Sequence, residues 1–182
     1  MANQTAQHHQ MFYYLDGTHI FLMQNLLFKI HQSILCDKSI FFNDMFNMHA
    51  ELSPIDGQSD DKPIVLPAQV TEGVFELFLS VCYNKWCPDT LQLSESIILQ
   101  LLEVSQLYRS KAAHDHAIKQ INAHRYAFNP VMLISISLKY HIKDTFQYAF
   151  NRLVSKCVNE LKDVDYELLT YPVWKTLFRV KE

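Results

Sequence analysis

Glycine is nearly missing from this chain: Gly17, Gly57 and Gly73 are the only three among 182 residues. Phosphate-cradling loops and nucleophile elbows need glycine where the backbone comes close to a ligand. None of the three sits in such a constellation, so the common nucleotide-binding motifs are absent. Long apolar runs are missing too. The most apolar stretch, Val131 to Ile136, is far shorter than the roughly 18 residues of a membrane helix. Met1 to Gln10 is polar and carries no apolar h-region, which argues against a secretory signal. Charge is sparse, and the formal net charge of -3 gives no electrostatic reason to bind nucleic acid. Lys111, Lys119, His124 and Arg125 form a loose basic cluster that reads as a solvated helix face. The four cysteines, Cys36, Cys82, Cys87 and Cys157, are scattered through apolar patterns. That is how buried free thiols look, not a disulfide framework, so a reducing cytoplasmic or nuclear setting is expected.

What is present is apolar and aromatic. Just under half the residues are hydrophobic, enough to build one core in a chain of single-domain length. Met11 to Leu15 is a short apolar and aromatic run closed by the turn signal Asp16-Gly17. His19 to Gln24 reads as a buried strand. Leu26 to His31 alternates, with Leu26, Phe28 and Ile30 on one side, and Asn25 supplies a tight turn between the two strands. The period then becomes helical through Ile34, Leu35, Lys38, Phe41, Phe42, Met45 and Phe46, and Ser39 is placed to cap a break within it.

Asn47 to Lys62 is polar, contains Pro54 and Asp56-Gly57, and reads as a long exposed loop. Ile64-Val65-Leu66 is a short strand between prolines. Helices follow. One spans about Thr71 to Asn84, capped by Thr71, with a stripe of Val74, Phe75, Phe78, Val81 and Cys82. A second is capped by Ser94 and carries Ile97, Ile98, Leu101, Val104 and Tyr108. A third, weaker helix spans Ser110 to Asn122. Asn129-Pro130 opens a helix to about Tyr140. Another runs from Lys143 to Leu161, with a stripe of Phe146, Ala149, Phe150, Leu153, Val154, Cys157 and Leu161. An amphipathic tail with Trp174, Leu177 and Phe178 ends the chain. A few strands followed by helices, without βαβ alternation, indicate a mostly helical α+β fold.

The residues carry a resemblance. Leu27-Phe28-Lys29-Ile30-His31 has the strand ending Phe-x-x-His. Leu35, Ser39, Phe42 and Met45-Phe46 complete a pattern that resembles the opening of a BTB/POZ domain. Pro63 to Pro67, Val74 to Tyr83 and Leu101 to Tyr108 are similar to the strand and helices that come next in that family. Asn129 to Leu153 is similar to the helical extension of stand-alone fungal BTB proteins, including the turn from Leu138 to Asp144. The resemblance implies a small N-terminal sheet capped by helices, followed by extra C-terminal helices. The expected division is an N-terminal segment 1–17, a BTB/POZ domain 18–122 and an extension 123–182. Two departures stand out. Asn84-Lys85 follow Tyr83 where many members have Thr-Gly, and Thr18 or His19 stands where many dimeric members carry an Asp.

The resemblance implies a protein–protein interaction module, with no enzyme activity and no cofactor. Self-association is expected through the early segment and first helix, with Phe12, Tyr13, Tyr14, Leu15, Ile34, Leu35 and Lys38 as candidates for a homodimer surface. The N-terminal aromatics could equally pack back on their own domain. Val74-Phe75-Glu76 is similar to the hydrophobic-x-Glu motif of members that recruit a cullin scaffold for ubiquitin ligases. Helical spacing puts Glu76 about 200° from Val74, toward solvent. An ordinary amphipathic helix with one exposed Glu fits the same residues. A scaffold or transcription-related regulator without a cullin is the alternative reading. His114 and His116 lie on different helix faces and suit no metal. A small Cys/His hydrolase is the remote third reading, since such pairs meet only in the fold. No nucleic acid, membrane or small-molecule partner is expected.

Overall fold

A computed structural model describes residues 6–49, 56–67, 69–85, 95–155 and 167–181. The chain divides into two compact units, Met1–Gln120 and Ile121–Glu182. The first begins with three strands, β1 (Gln7–Tyr13), β2 (His19–Met23) and β3 (Leu26–Ile30). Then come α1 (Gln32–Lys38), α2 (Ile40–His49), β4 (Ile64–Val65), α3 (Glu72–Cys82) and α4 (Glu95–Leu107). Helix α5 (Lys111–His124) starts in this unit.

The expected hairpin is there: β2 and β3 pair antiparallel, from His19 opposite Ile30 to Met23 opposite Leu26. Its turn takes two residues, with Gln24 left-handed at φ 51. β4 adds to β2 in parallel, and β1 adds to β3 in parallel, giving the order β1-β3-β2-β4. The strand β1 lies within the expected N-terminal segment 1–17. Period-two alternation misses it because its register shifts between His8 and Tyr13, so His9 and Phe12 turn inward three residues apart. The imidazole of His9 stands in for ladder partners at that irregularity: Nδ1 accepts the N–H groups of Met11 (3.2 Å) and Phe12 (3.1 Å).

The core of this unit is aromatic. Phe21 of β2 and Phe28 of β3 meet Phe75 of α3 at ring separations of 6.4 and 5.1 Å. Phe42 of α2 lies 5.8 Å from Phe21, 6.2 Å from Phe78 and 4.8 Å from Tyr108. All are buried. Helix α3 is enclosed on nearly every side, with every residue from Leu77 to Cys82 buried, where its sequence indicated one stripe. The break at Ser39 falls where expected. Ser39 is extended, accepts the N–H of Phe42 (3.2 Å), and donates its hydroxyl to the carbonyl of Tyr108 (2.5 Å). Thr71 holds the N-cap position of α3 but makes no cap bond; its hydroxyl faces Gln100 instead. Ser94, Cys87, Cys157 and Leu161 lie outside the described residues, as do residues 50–55 of the expected loop.

The second unit holds α6 (Pro130–Lys139), α7 (Lys143–Ser155) and α8 (Tyr171–Lys181). Asn129 caps α6 as its sequence implies, accepting the N–H of Val131 at 3.0 Å. The stripe of α7 is rotated from the expected one. Thr145, Ala149 and Leu153 are buried, while Phe146 and Phe150 are half-buried and stack on each other. Thr145 can face inward because it donates its hydroxyl to Asn122 Oδ1 at 2.7 Å. Arg152 closes the end of α5 by donating to the carbonyls of Arg125 and Phe128, both at 3.0 Å.

The shortage of glycine has a backbone consequence. Helices α3, α4 and α6 end in the same way, on left-handed Asn84 (φ 52), Arg109 (φ 46) and His141 (φ 57). The N–H groups that follow reach back five residues: Lys85 to Ser80, Ser110 to Ser105, and Ile142 to Ser137, at 2.8 to 2.9 Å. This is the helix ending that glycine normally serves, built here with side chains that disfavour it. Replacing exposed His141 by glycine is expected to raise stability by roughly 1 kcal/mol, read as a higher denaturant midpoint at an unchanged slope.

Within the aromatic core, the hydroxyl of Tyr108 is buried and has no hydrogen-bond partner among the described residues. Tyr108→Phe should therefore leave stability unchanged or raise it by about 1 kcal/mol. Phe75→Ala should cost about 3–5 kcal/mol. Chemical denaturation of both variants checks the pair, and a strongly destabilised Tyr108→Phe would contradict the packing.

Candidate interaction surface

Four aromatic and basic side chains gather where β1 leaves the sheet. Tyr14 stacks on Tyr83 at 5.1 Å, and Lys85 donates to the Tyr14 hydroxyl at 2.8 Å. The Tyr83 hydroxyl accepts the N–H of His31 (2.9 Å) and lies 3.0 Å from His31 Nδ1, which can accept its proton in turn. Burial pushes the Tyr83 phenol up to about 12. Lys29 donates to the carbonyl of Leu15 at 2.9 Å. Gly17 is required here: a Cβ would come within 2.8 Å of the Lys29 backbone. The corner is thus a fixed platform for the chain from Tyr14 to Thr18.

The seven candidates for self-association fall into two groups. Phe12 and Leu35 are fully buried and belong to the core. That corrects their placement on an outer surface: Phe12 turns inward from β1, toward Tyr83 at 5.9 Å. Tyr13, Tyr14, Ile34 and Lys38 are half-buried, and Lys38 pairs with Asp37 at 2.9 Å. Leu15 is 91% exposed. Met11, which the sequence reading left off the short set of candidates, is 47% exposed on β1. The signal available for it was its place at the head of the apolar run from Met11 to Leu15.

The three motif residues on α3 separate as well. Val74 and Phe75 are buried. Glu76 was expected to face solvent, but its side chain is only 22% exposed and stands 3.7 Å from His9 Nε2. The reason is β1, which covers that side of α3 and leaves a polar groove of about 360 Å³ with His9, Glu72 and Glu76 in its lining.

Residues 56–62 are strapped to the sheet by three points. Ile20 donates its N–H to the carbonyl of Gly57 at 2.8 Å. Gln58 Nε2 lies 3.3 Å from His19 Nε2. Asp60 takes the hydroxyl of Tyr13 and pairs with His8, both at 2.7 Å. Asp60 is therefore a clasp within the polar stretch that its sequence marks as an exposed loop. Gly57 has φ 100, and a Cβ on it would press on Ile64 at 2.9 Å, so glycine is required there.

Burial pushes the Cys82 thiol up to about 12 and raises that of Cys36, which leaves both poor nucleophiles. No group of three or more His, Cys, Asp or Glu side chains among the described residues could hold a metal ion. No described helix is long and apolar enough to cross a membrane.

Comparison with protein families agrees with this geometry. A model of the BTB/POZ domain matches residues 16–125, well over half of the chain. The chain belongs to the BTB/POZ family. It therefore carries a protein–protein interaction module, of a family whose domains are not enzymes. A search of curated proteins finds no match. The family match starts at residue 16, so β1 lies just ahead of it although it completes the BTB/POZ sheet in this chain.

The strap should respond to acid in two steps. Burial depresses the pKa of His19 below its ordinary 6.5. A neutral His19 stabilises fully above pH 6.5, and the contribution is lost as pH falls toward the folded pKa. For Asp60, partial burial alone would raise the pKa. The bonds from Tyr13 and His8 and the nearby positive charges outweigh it and hold the carboxyl below 3.8. Its contribution is present above pH 3.8 and lost below it. Amide exchange at Ile20, which Gly57 protects, should accelerate below pH 6.5 and again below 3.8, after correction for intrinsic rates. His19→Gln should abolish the first step and Asp60→Asn the second. His116 is depressed too, but it lies on α5, so a local readout at Ile20 separates the two histidines.

Proposed function

We propose that this BTB/POZ chain is a self-associating scaffold that forms a homodimer through the outer side of β1 and the neighbouring part of α1. The observation behind this reading is the pair of exposed apolar side chains, Leu15 and Met11, beside half-buried Tyr13, Tyr14 and Ile34. β1 is the last strand on its side of the sheet among the described residues, so its outer backbone groups are available to a neighbour. Apolar side chains next to an open strand edge are a costly combination for a chain that works alone. Cys36 and Cys82 are free thiols, which suits a cytoplasmic or nuclear setting.

Whether a cullin joins the assembly turns on α3. With Val74 and Phe75 buried, only Glu76 of the motif reaches the surface. That favours a scaffold, including one serving in transcription, over a ubiquitin-ligase adaptor.

Light scattering across a range of protein concentrations tests the reading. The wild-type protein should be a dimer, and Met11→Asp/Leu15→Asp should weaken dimerisation by about a hundredfold with an unchanged circular dichroism spectrum. A wild-type monomer at every concentration would refute self-association. Purified cullin added to the same protein should not bind. Binding that Glu76→Lys removes would establish the adaptor reading in place of the scaffold.

A further inference from the structure

The last helix of the chain has apolar residues on two faces. Val173 and Leu177 of α8 are buried and fix the helix within its unit. On the ordinary 100° per residue, Trp174, Phe178 and Tyr171 share an arc of about 60° that starts beside Leu177 and runs outward from the buried stripe. Tyr171 is 77% exposed and Phe178 is 51% exposed. Trp174 is half-buried and stacks on Phe178 at 5.7 Å. A surface helix normally presents polar residues there. Along one edge of the aromatic arc stand Lys175 and Arg179, exposed, one turn apart, and without an ion pair to any carboxylate among the described residues. The helix itself contains no Asp or Glu.

We propose that this face of α8 binds an acidic amphipathic peptide segment of a partner protein. The aromatic side chains of this face supply anchoring area, and the two cations select carboxylates beside the partner's apolar residues. Trp, Tyr and Arg are the residue types that dominate binding energy at protein interfaces, and all three are brought together here. The cations add steering and discrimination, which makes the binding salt-sensitive. An anionic lipid surface is the competing occupant for an aromatic and basic helix. Among the described side chains, the aromatic arc is flanked by only two cations, whereas a helix held by anionic lipid typically carries a cluster of about four to eight. The proposal rests on the chain being a protein-interaction module, but not on self-association, which involves β1 and α1.

A displayed library of random short peptides, selected against the full-length protein, provides the test. Enriched peptides should combine Asp or Glu with Leu, Phe or Trp. Their binding should weaken with added salt and drop about tenfold or more with Phe178→Ala or Lys175→Glu/Arg179→Glu. These side chains are exposed, so the variants should keep the wild-type circular dichroism spectrum and the wild-type mass by light scattering. Tyr171→Ala supplies an independent variant if one of the others misfolds. Enrichment indifferent to charge, or binding that survives the substitutions, would overturn the proposal. So would retention on phosphatidylserine vesicles without peptide binding, which would assign the face to a membrane. A change of mass in Phe178→Ala would assign it to a second copy of the chain. A wild-type protein that stays monomeric at every concentration while still binding the peptides would reject the self-association reading alone.

Discussion

The first unit depends on a contact between rings: Phe21 and Phe28 of the sheet against Phe75 of α3, with Phe42, Phe78 and Tyr108 closing the cluster. A four-stranded sheet with one two-residue strand has too little pairing to stand alone. Its stability must come from the helices on its face. The rings supply that area and, through their edge-to-face arrangements, fix the crossing of sheet and helix. Because Tyr108 ends α4 and its carbonyl accepts from Ser39, the same cluster also sets where α2 begins. Packing thereby decides secondary-structure boundaries in this unit.

The surface follows from that arrangement. With α3 filled by core contacts, few of its residues remain to meet a partner, and the outer rim of the unit falls to β1, α1 and residues 56–62. Apart from the buried Phe12 and Leu35, these are tied on by polar contacts: Asp60 with Tyr13 and His8, Tyr83 with His31, Lys85 with Tyr14. Polar fastening at a rim costs less to rearrange than a core, which is where interaction and adjustment can coexist.

Much of this was legible in the residues. The hairpin, the break at Ser39 and the cap at Asn129 each announce themselves by local chemistry: alternation, a hydroxyl between two apolar runs, Asn before Pro. The family pattern was legible too, and the structure gives it physical meaning. The histidine of Phe-x-x-His bonds to the tyrosine that ends α3, and the serine before Phe42 bonds to the tyrosine after α4. These are residues 52 and 69 positions apart, so no window along the chain reveals the contact. What sequence periodicity missed has a cause in each case. β1 hides behind a register shift filled by His9. Glu76 is shaded by that same strand. Thr145 turns inward because Asn122, far from it in sequence, answers its hydroxyl.

The claim that ring packing joins the sheet to α3 is tested most directly by native-state hydrogen exchange. Amides of β2, β3 and α3 should open together, with a common free energy equal to that of global unfolding. Amides of β1 and residues 56–62 should open earlier and at lower cost. If α3 opened independently of β2 and β3, or if β1 proved as protected as they are, the aromatic cluster would not be what holds the unit together.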